Sequence, residues 1–364
     1  MQRAPHDVPA VSLRPPVPGA RLGASPDVVA AYVRGGDVTG EAGELANHEL
    51  LTGLTVVVCT YRRAPSVRRF LDSLAGQERQ PERLVIVDAS PDDATEREVR
   101  AWDVAAATGP AEVRYLRVTG ALRGLTRQRN TALHLVDTDL VAFFDDDVVL
   151  LPHCLARMEA VHREAPLRVA GVGAFAHEEA VRPWALWRVR RALRVVPDLE
   201  PGRYHGAGIS IPWEFHHPTR APVAGDWLPG YAMMWRTAVV RAVGFNAAFA
   251  GYAQGEDLDL SVRARRHGAL IMAGDARVRH LHEAAGRPDA FRIGYMAIAN
   301  RYQIHRRAQD VVRRRDTVRF AYVWTVDTVL LARYLVVPGR IRRGLLEIAG
   351  RVRAAVDIAR GAIR

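Results

Sequence analysis

Residues 55–60 read TVVVCT, a continuous run of β-branched and apolar residues that ends in a threonine. Such a run is typical of a strand that is buried on both faces of a parallel sheet. Further strand patterns lie at 84–88 (LVIVD), 113–118 (VRYLRV) and 140–144 (LVAFF), and helical spacing of apolar residues appears at 66–76, 126–136 and 232–243. Strands and helices that alternate in this way predict an α/β fold, with a mostly parallel central sheet flanked by helices.

Three of these strands are followed by polar side chains. Thr60, Tyr61 and Arg62 end the first strand, Asp88 ends the second, and three aspartates at 145–147 follow the fourth. In open α/β sheets, ligands bind beyond the carboxyl ends of the strands. We therefore expect these side chains to meet at one edge of the sheet and to form a site there.

The three aspartates Asp145, Asp146 and Asp147 indicate a metal site. Adjacent carboxylates repel one another and are costly to desolvate without a cation. Their hard oxygens suit Mg²⁺ or Mn²⁺, ions that commonly take diphosphate oxygens as further ligands. A solvated acidic turn explains an isolated triplet equally well, but the position directly after a buried strand favours the metal.

Two more groups carry candidate chemistry. Glu256 and Asp257 follow Gly255 at the start of a predicted helix, where acids are favoured by the helix dipole alone. A carboxylate that faces an acceptor hydroxyl can also act as a general base. His280 and His282 alternate along a predicted strand, so both imidazoles would face the same side, either as part of a site or as a surface pair.

The composition excludes several classes of protein. The chain has 364 residues, 49% of them apolar, and contains no lysine, so the phosphate-binding GxxxxGK[ST] loop cannot occur. It has no HExxH zinc motif, and the glycines at 171 and 173 lack the third glycine of a dinucleotide-binding loop. The two cysteines form no disulfide framework, and the first residues lack the apolar core of a secretion signal. We therefore expect a cytoplasmic protein.

Most of the formal net charge of +11 belongs to the C-terminal segment. Residues 301–364 hold 15 arginines and 5 acidic residues, so the first 300 residues are close to neutral. Helical spacing after residue 340 places these apolar residues near one face: Ile341, Leu345, Ile348, Val352 and Val356. Two interpretations stay open: the segment lies peripherally on an anionic membrane, or its helices pack on the rest of the chain.

The order of the segments resembles that of the inverting family 2 glycosyltransferases, which have the GT-A fold, over about residues 54–305. The resemblance is carried by these segments: VVVCTYRR (56–63), LVIVDAS (84–90), GLTRQRN (124–130), FFDDDV (143–148), WLPGYAMMWR (227–236), GEDLDL (255–260) and HLH (280–282). The family's usual Asp-Asp-Gly-Ser is replaced here by Asp-Ala-Ser-Pro at 88–91. The resemblance therefore does not specify the nucleobase.

The resemblance implies a nucleotide-diphosphate sugar as donor and a divalent cation, Mn²⁺ or Mg²⁺, as cofactor. It implies donor contacts at Thr60, Tyr61, Arg62, Asp88, Arg129, Asp145 and Asp146, with Asp88 at the nucleobase and Asp145 at the ribose. It implies that Asp147 binds the metal together with His280, with His282 as the alternative ligand.

The resemblance also implies a single in-line displacement with inversion at the anomeric carbon. Asp257 would act as the base, with Glu256 as the second choice, and Trp227 and Tyr231 would lie on the acceptor side. The acceptor would be a hydroxyl on a glycan or a lipid-linked molecule. The chain would then comprise a flexible N-terminal arm (1–50), a GT-A domain (51–305) and a basic amphipathic helical tail (306–364).

Two other functions compete with this interpretation. A polyprenyl-phosphate glycosyl synthase has a similar fold but uses a phosphate as acceptor. A basic nucleic-acid-binding protein would explain the arginine-rich tail, and it predicts steeply salt-dependent binding. The acidic clusters directed at one edge of the sheet argue against the second, because they would repel a phosphate backbone.

Overall fold

The computed structural model describes most of the chain after residue 52. The described residues are 11–12, 53–106, 108–165, 168–176, 185–198, 200–217, 219–283, 288–309 and 312–363. Apart from Val11 and Ser12, the predicted N-terminal arm, residues 1–50, lies outside them.

A single large sheet forms the centre of the described structure. Its strands are β1 (Val11–Ser12), β2 (Leu54–Thr60), β3 (Arg83–Asp88), β4 (Glu112–Arg117), β5 (Leu140–Asp145), β6 (Val148–Leu150), β7 (Val169–Ala176), β10 (Val223–Gly225), β11 (Ala232–Arg236) and β12 (Ala269–His280); a separate hairpin pairs β8 (Tyr204–His205) with β9 (Ile209–Ser210). The spatial order is β1-β4-β3-β2-β5-β11-β7-β12-β10, and β6 pairs with β12. The pairings make β2, β3, β4, β5, β7 and β12 run in one direction. The α/β fold with a mostly parallel sheet is therefore confirmed.

Helices cover both faces of this sheet and form the C-terminal part of the chain. They are α1 (Ala64–Ala75), α2 (Ala94–Ala105), α3 (Leu125–Leu133), α4 (Cys154–Glu164), α5 (Ala185–Ala192), α6 (Thr237–Val243), α7 (Glu256–Ala264), α8 (Ala290–Arg307), α9 (Arg314–Val329) and α10 (Ile341–Ala359). Two apolar cores, one on each side of the sheet, hold these layers together. Within the described residues, no helix combines the length and the apolar character needed to cross a bilayer.

The register of the parallel strands brings the predicted polar ends together. Thr60 pairs with Asp88 across β2 and β3, and Cys59 pairs with Asp145 across β2 and β5. Because neighbouring parallel strands end at the same level, their terminal side chains share one edge of the sheet. This is the edge that the sequence indicated.

The prediction of a helix over 232–243 is wrong for its first half. Ala232–Arg236 is the strand β11, which lies antiparallel between β5 and β7, and only Thr237–Val243 is helical. Both faces of β11 are buried, so its sequence, AMMWR, shows no alternation that would distinguish a strand from a helix. Gly171 on β7 makes room for the strand, because a Cβ there would lie 2.6 Å from the ring of Trp235.

The C-terminal helices pack on the body of the protein. α8 and α10 approach so closely that a Cβ at Gly294 or at Gly350 would meet the backbone of the opposite helix. Asp327 on α9 accepts a hydrogen bond from Arg351 of α10 at 2.8 Å and also pairs with Arg190 of α5. Of the two interpretations of this segment, the structure therefore shows that its helices pack on the rest of the chain. This packing does not involve the outer surface of the helices.

A buried histidine makes the stability of this fold sensitive to acid. His162 on α4 is 3% exposed, and its Nε2 lies 3.3 Å from the carbonyl oxygen of Met234 on β11. Burial, with the nearby charge of Arg236, lowers the pKa of His162 to about 3. The unfolded chain therefore binds more protons than the folded one between about pH 3 and the usual histidine value near 6.5, and folding is disfavoured as the pH falls through that window.

We expect His162→Gln to remove this acid sensitivity. Relative to the variant, the wild-type free energy of unfolding should fall by about 1.4 kcal/mol for each pH unit below 6. Urea denaturation of both proteins from pH 7 to pH 4 measures the difference. Parallel curves for the two proteins over that range would show that His162 does not titrate with folding.

Candidate active site

The carboxyl edge of the sheet holds two kinds of carboxylate. Asp146 is buried and fully engaged within the protein: Thr60 donates to its Oδ2 at 2.7 Å and Arg63 donates to its Oδ1 at 2.8 Å. Burial raises the pKa of Asp146 to about 6, although Arg63 and Thr60 oppose the shift. Asp146 therefore connects the acidic turn to β2 and to Arg63, whereas its neighbours Asp145 and Asp147 belong to a different group of side chains.

Asp145, Asp147 and His280 form a group that could hold a metal ion. One ligand atom from each residue lies within 4.8 Å of the others. The pairing of β6 with β12 creates this group, because His280 lies opposite Val148 and the Leu281 amide donates to the carbonyl of Asp147 at 2.9 Å. Two carboxylate oxygens and one imidazole nitrogen are a donor set that fits Mn²⁺ or Mg²⁺.

The surroundings of Asp147 keep its carboxylate charged. Burial alone would raise its pKa, but the hydrogen bond and charge of His280, the amide of Glu283 and the charge of Arg63 together lower it below the usual value. The His280 Nε2 lies 3.3 Å from Asp147 Oδ1, and the Glu283 amide donates to Asp147 Oδ2 at 2.9 Å. A carboxylate that is charged at neutral pH is the form that binds a cation.

The structure distinguishes the two candidate histidines. His280 is half-buried, and its ring lies 4.9 Å from the ring centre of Tyr231 and 4.1 Å from that of His282. His282 is exposed, has a positive φ of 53°, and does not belong to the group of possible metal ligands. The geometry therefore favours His280.

Arg129 connects the acidic edge with the predicted catalytic acids. It lies on α3 with 1% of its surface exposed, under the rings of Phe143 and Phe245. Its guanidinium donates to Asp145 Oδ1 at 3.0 Å, to the Gly230 carbonyl at 2.9 Å and to Glu256 Oε1. A buried arginine costs free energy unless it is paired, so this side chain fixes two acids that are far apart in the sequence.

Glu256 and Asp257 begin α7, directly after Gly255 with its positive φ of 83°. Glu256 is 5% exposed, and burial raises its pKa well above the usual value despite the charge of Arg129. Asp257 is half-buried, and its two oxygens accept the amides of Gly230 at 2.9 Å and Leu258 at 2.8 Å. Asp257 is therefore the better placed of the two to meet an acceptor.

The residues predicted to contact the nucleotide differ in how deeply they are buried. Asp88 is fully buried, where it accepts hydrogen bonds from the Ser90 amide and the Tyr115 hydroxyl, both at 2.7 Å. Tyr61 is half-buried and has the guanidinium groups of Arg62 and Arg123 over its ring, at 5.3 and 5.1 Å. Tyr61 and Arg62 therefore lie at the surface of this edge, whereas Asp88 lies beneath it.

The two aromatic residues predicted on the acceptor side also differ. Trp227 is half-buried, and its indole donates to the Ile211 carbonyl at 3.3 Å beside the ring of Trp213. Tyr231 packs against His280, and its hydroxyl accepts the Ala176 amide at 3.2 Å. Tyr231 thus borders the possible metal group, whereas Trp227 contacts Ile211 and Trp213.

Three residues of the site were not predicted from the sequence. Arg63 pairs with Asp146 at 2.8 Å and with Asp147 at 3.5 Å. Gly230 allows the approach of α7, because a Cβ there would lie 2.9 Å from Glu256 Oε1 and 3.0 Å from the Cβ of Asp257. The guanidinium carbon of Arg301 would lie 3.7 Å from a Cβ at Gly255. The Pro-Gly pair at 229–230 was a signal for the second, whereas Arg63 and Arg301 were indistinguishable from other arginines.

The sequence matches the family model "Glycosyl transferase family 2" over residues 55–217. No curated protein matches the chain. The chain shares 15% identity with S. aureus TarS at a TM-score of 0.45, and the match covers 78% of this chain and 43% of that one. With the TarS fragment 1–349 it shares 14% identity at a TM-score of 0.46, over 85% of this chain and 91% of the fragment. The mannosyltransferase PcManGT from Pyrobaculum calidifontis, solved with GDP-Man and Mn²⁺, shares 16% identity with this chain at a TM-score of 0.49. The match covers 88% of this chain and 91% of that one.

The chain thus spans less than half of the longer TarS structure, and likenesses at these scores show no shared activity. The match to the family model covers four of the seven segments that carried the resemblance, those at 56–63, 84–90, 124–130 and 143–148, and ends before the segments at 227–236, 255–260 and 280–282. The resemblance to the family 2 glycosyltransferases is thus confirmed for residues 55–217, which lie within the α/β fold described above.

Proposed function

We propose that this protein is a metal-dependent inverting glycosyltransferase, which moves a sugar from a nucleotide-diphosphate sugar to an acceptor hydroxyl. One observation carries the proposal. The ligand atoms of His280, Asp147 and Asp145 lie within 4.8 Å of one another, and Arg129 connects Asp145 to Glu256, which is followed directly by Asp257. Charges for a leaving diphosphate and a base for an acceptor are thereby held within one site.

The proposed reaction is a single displacement. The acceptor oxygen forms a bond to the anomeric carbon as the bond from that carbon to the diphosphate oxygen breaks, and the acceptor proton passes to a carboxylate oxygen of Asp257. The amides of Gly230 and Leu258 hold this carboxylate in one orientation. A divalent ion, held by Asp145, Asp147 and His280, would supply positive charge to the departing nucleoside diphosphate.

The other donor contacts are assigned to residues around the same edge. Tyr61 and Arg62 would contact the nucleotide at the surface of the site, with Thr60 and Asp88 behind them. Asp146, whose oxygens are engaged by Thr60 and Arg63, would act by fixing the turn that carries Asp145 and Asp147. Trp227 and Tyr231 would border the acceptor.

We also propose an acceptor hydroxyl on a glycan or a lipid-linked molecule, used at the inner face of the cell membrane by a cytoplasmic protein. The basic C-terminal segment supports this location, because its exposed arginines would attract anionic lipids. The acidic edge of the sheet disfavours nucleic acid as a partner.

The direct test is a thermal-unfolding screen of nucleoside diphosphates and their sugars, with Mn²⁺ or with EDTA. A ligand at 100 times its dissociation constant stabilises a protein by about 2.7 kcal/mol, which is roughly 3.5 °C for a chain of this size. We expect at least one nucleotide sugar to give such a shift with Mn²⁺ only, and the product assay to show its sugar on a hydroxyl. No shift with any of them would contradict the proposal, and a phosphate monoester as acceptor would favour a polyprenyl-phosphate glycosyl synthase.

A further inference from the structure

The last helix, α10, exposes its large apolar side chains and buries small or charged ones, the reverse of what is expected for a helix that packs on a protein core. Its buried residues are small or charged: Gly344, Glu347, Gly350, Arg351 and Ala354. Its exposed face carries the large apolar side chains, with Ile341 48%, Leu345 53%, Val352 54% and Val356 36% exposed. An amphipathic helix normally turns its apolar stripe toward the structure that covers it. The exposed stripe of α10 is therefore directed at something other than this domain.

Arginines border one side of this stripe. At 100° per residue, Arg342, Arg353 and Arg360 lie about 70–90° around the helix from the centre of the stripe. All three are exposed, and Arg353 also pairs with Asp357 at 3.0 Å. We call the four apolar residues and these three arginines the outer face of α10.

The charge around the outer face has one sign. Within the described residues 312–363, every exposed charged side chain is an arginine, while the four acids are buried or half-buried. The exposed arginines are Arg313, Arg314, Arg315, Arg319, Arg340, Arg342, Arg343, Arg353 and Arg360. Exposed valines lie nearby in the chain, at Val329, Val336 and Val337. The surface therefore combines apolar side chains with positive charge.

We propose that the outer face of α10 lies in the interface of an anionic lipid membrane, with its apolar stripe among the acyl chains and its arginines at the phosphates. An apolar stripe and a row of basic residues beside it are the two features by which a helix binds in the plane of such a surface. A second copy of this chain fits less well, because two identical faces would bring their arginines together. Nucleic acid fits less well, because it would leave the apolar stripe in water.

The helix beneath α10 connects this surface to the active site. α8 packs on α10, and its Asn300 donates to the carbonyl of Gln254 at 2.8 Å. Arg301 and Ile304 of the same helix lie against Gly255, which directly precedes Glu256 and Asp257. If the proposed function holds, on which this step alone rests, docking would place the catalytic acids close to an acceptor carried by the membrane.

The experiment is vesicle flotation with the full chain. We compare vesicles of phosphatidylcholine alone with vesicles that also contain about 30 mol% phosphatidylserine, an anionic lipid that gives the surface a negative potential. The double variant Leu345→Glu/Val352→Glu changes the apolar stripe, and Arg342→Gln/Arg360→Gln changes its border. Val104→Glu is the matched control, since Val104 is an 88% exposed valine on α2.

We expect the wild type and the control to float with the anionic vesicles, and the stripe variant to bind at least about tenfold more weakly. The arginine variant should bind anionic vesicles roughly tenfold more weakly and should keep part of the preference for anionic lipid, because seven exposed arginines remain. Thermal unfolding and donor binding in solution should match the wild type, which separates a failure here from a failure of the proposed function.

Several results would overturn the proposal. One is a wild type that does not float with anionic vesicles, and another is a stripe variant that floats as well as the control. A concentration-dependent dimer that the stripe variant abolishes, without flotation of the wild type, would assign the outer face to a second copy. Binding to DNA that depends on salt and not on the stripe would assign it to nucleic acid.

Discussion

Replacement of Asp257 by asparagine is expected to lower turnover by about a thousandfold, the middle of the range for loss of a general base. The amide has nearly the same shape, but it cannot take the acceptor proton. Donor affinity should change little, because the possible metal ligands Asp145, Asp147 and His280 are untouched. Nucleoside diphosphate release gives the rate, and calorimetry gives the donor affinity.

Two control variants separate the loss of a base from the loss of any carboxylate and from the loss of stability. Asp72→Asn removes a carboxylate that is exposed on α1, and it should leave turnover unchanged. Glu256→Gln should instead destabilise the protein by about 3 kcal/mol, because the buried Arg129 would lose one of its two carboxylate partners and keep only Asp145. Near-normal turnover in Asp257→Asn would show that the base is another group, with Glu256 as the first candidate.

Replacement of Asp147 by asparagine is expected to remove Mn²⁺-dependent donor binding, with a loss of at least about a hundredfold in metal affinity. Loss of a group that only orients a metal ligand already costs 10- to 100-fold, so loss of the charged ligand itself should cost more. The carboxylate of Asp147 is also the partner of His280 and of the Glu283 amide, so its charge is central to this group. Titration of Mn²⁺ in the presence of a nucleoside diphosphate measures the effect.

Asp146→Asn is the matched control for Asp147→Asn, since the two residues are adjacent and differ in what they contact. Asp146 is engaged by Thr60 and Arg63 and lies outside the group of possible ligands. It should therefore lose stability while Mn²⁺-dependent binding persists. Binding that survives in Asp147→Asn, or that is lost equally in both variants, would contradict the assignment of Asp147.

The parts of the fold that were predictable are those with a local signal. The continuous apolar runs of β2, β3 and β5 gave the parallel half of the sheet, and the position of Asp88 and of Asp145 after such runs placed the site. Topology does the rest, because parallel strands bring their carboxyl ends to one edge. The edge of the sheet at which these side chains meet could thus be predicted from the sequence.

The parts that could not be predicted depend on contacts between distant segments. β11 is buried on both faces, so its pattern resembled the start of a helix. The partners of Arg129 and Arg63 are far away in the sequence, and this chain has many arginines from which to choose. The apolar residues of α10 were recognised as a stripe, but only its packing on α8 shows that the stripe faces outward.

The central claim is that one cation site and one catalytic acid share the carboxyl edge of this sheet. Diffraction at the manganese absorption edge, from crystals grown with Mn²⁺ and a nucleoside diphosphate, tests it most directly. We expect a single strong anomalous peak in contact with Asp145, Asp147 and His280, with the diphosphate between this peak and Asp257. A peak bound by other residues, or a nucleotide bound away from Asp257 with no manganese beside it, would contradict the account.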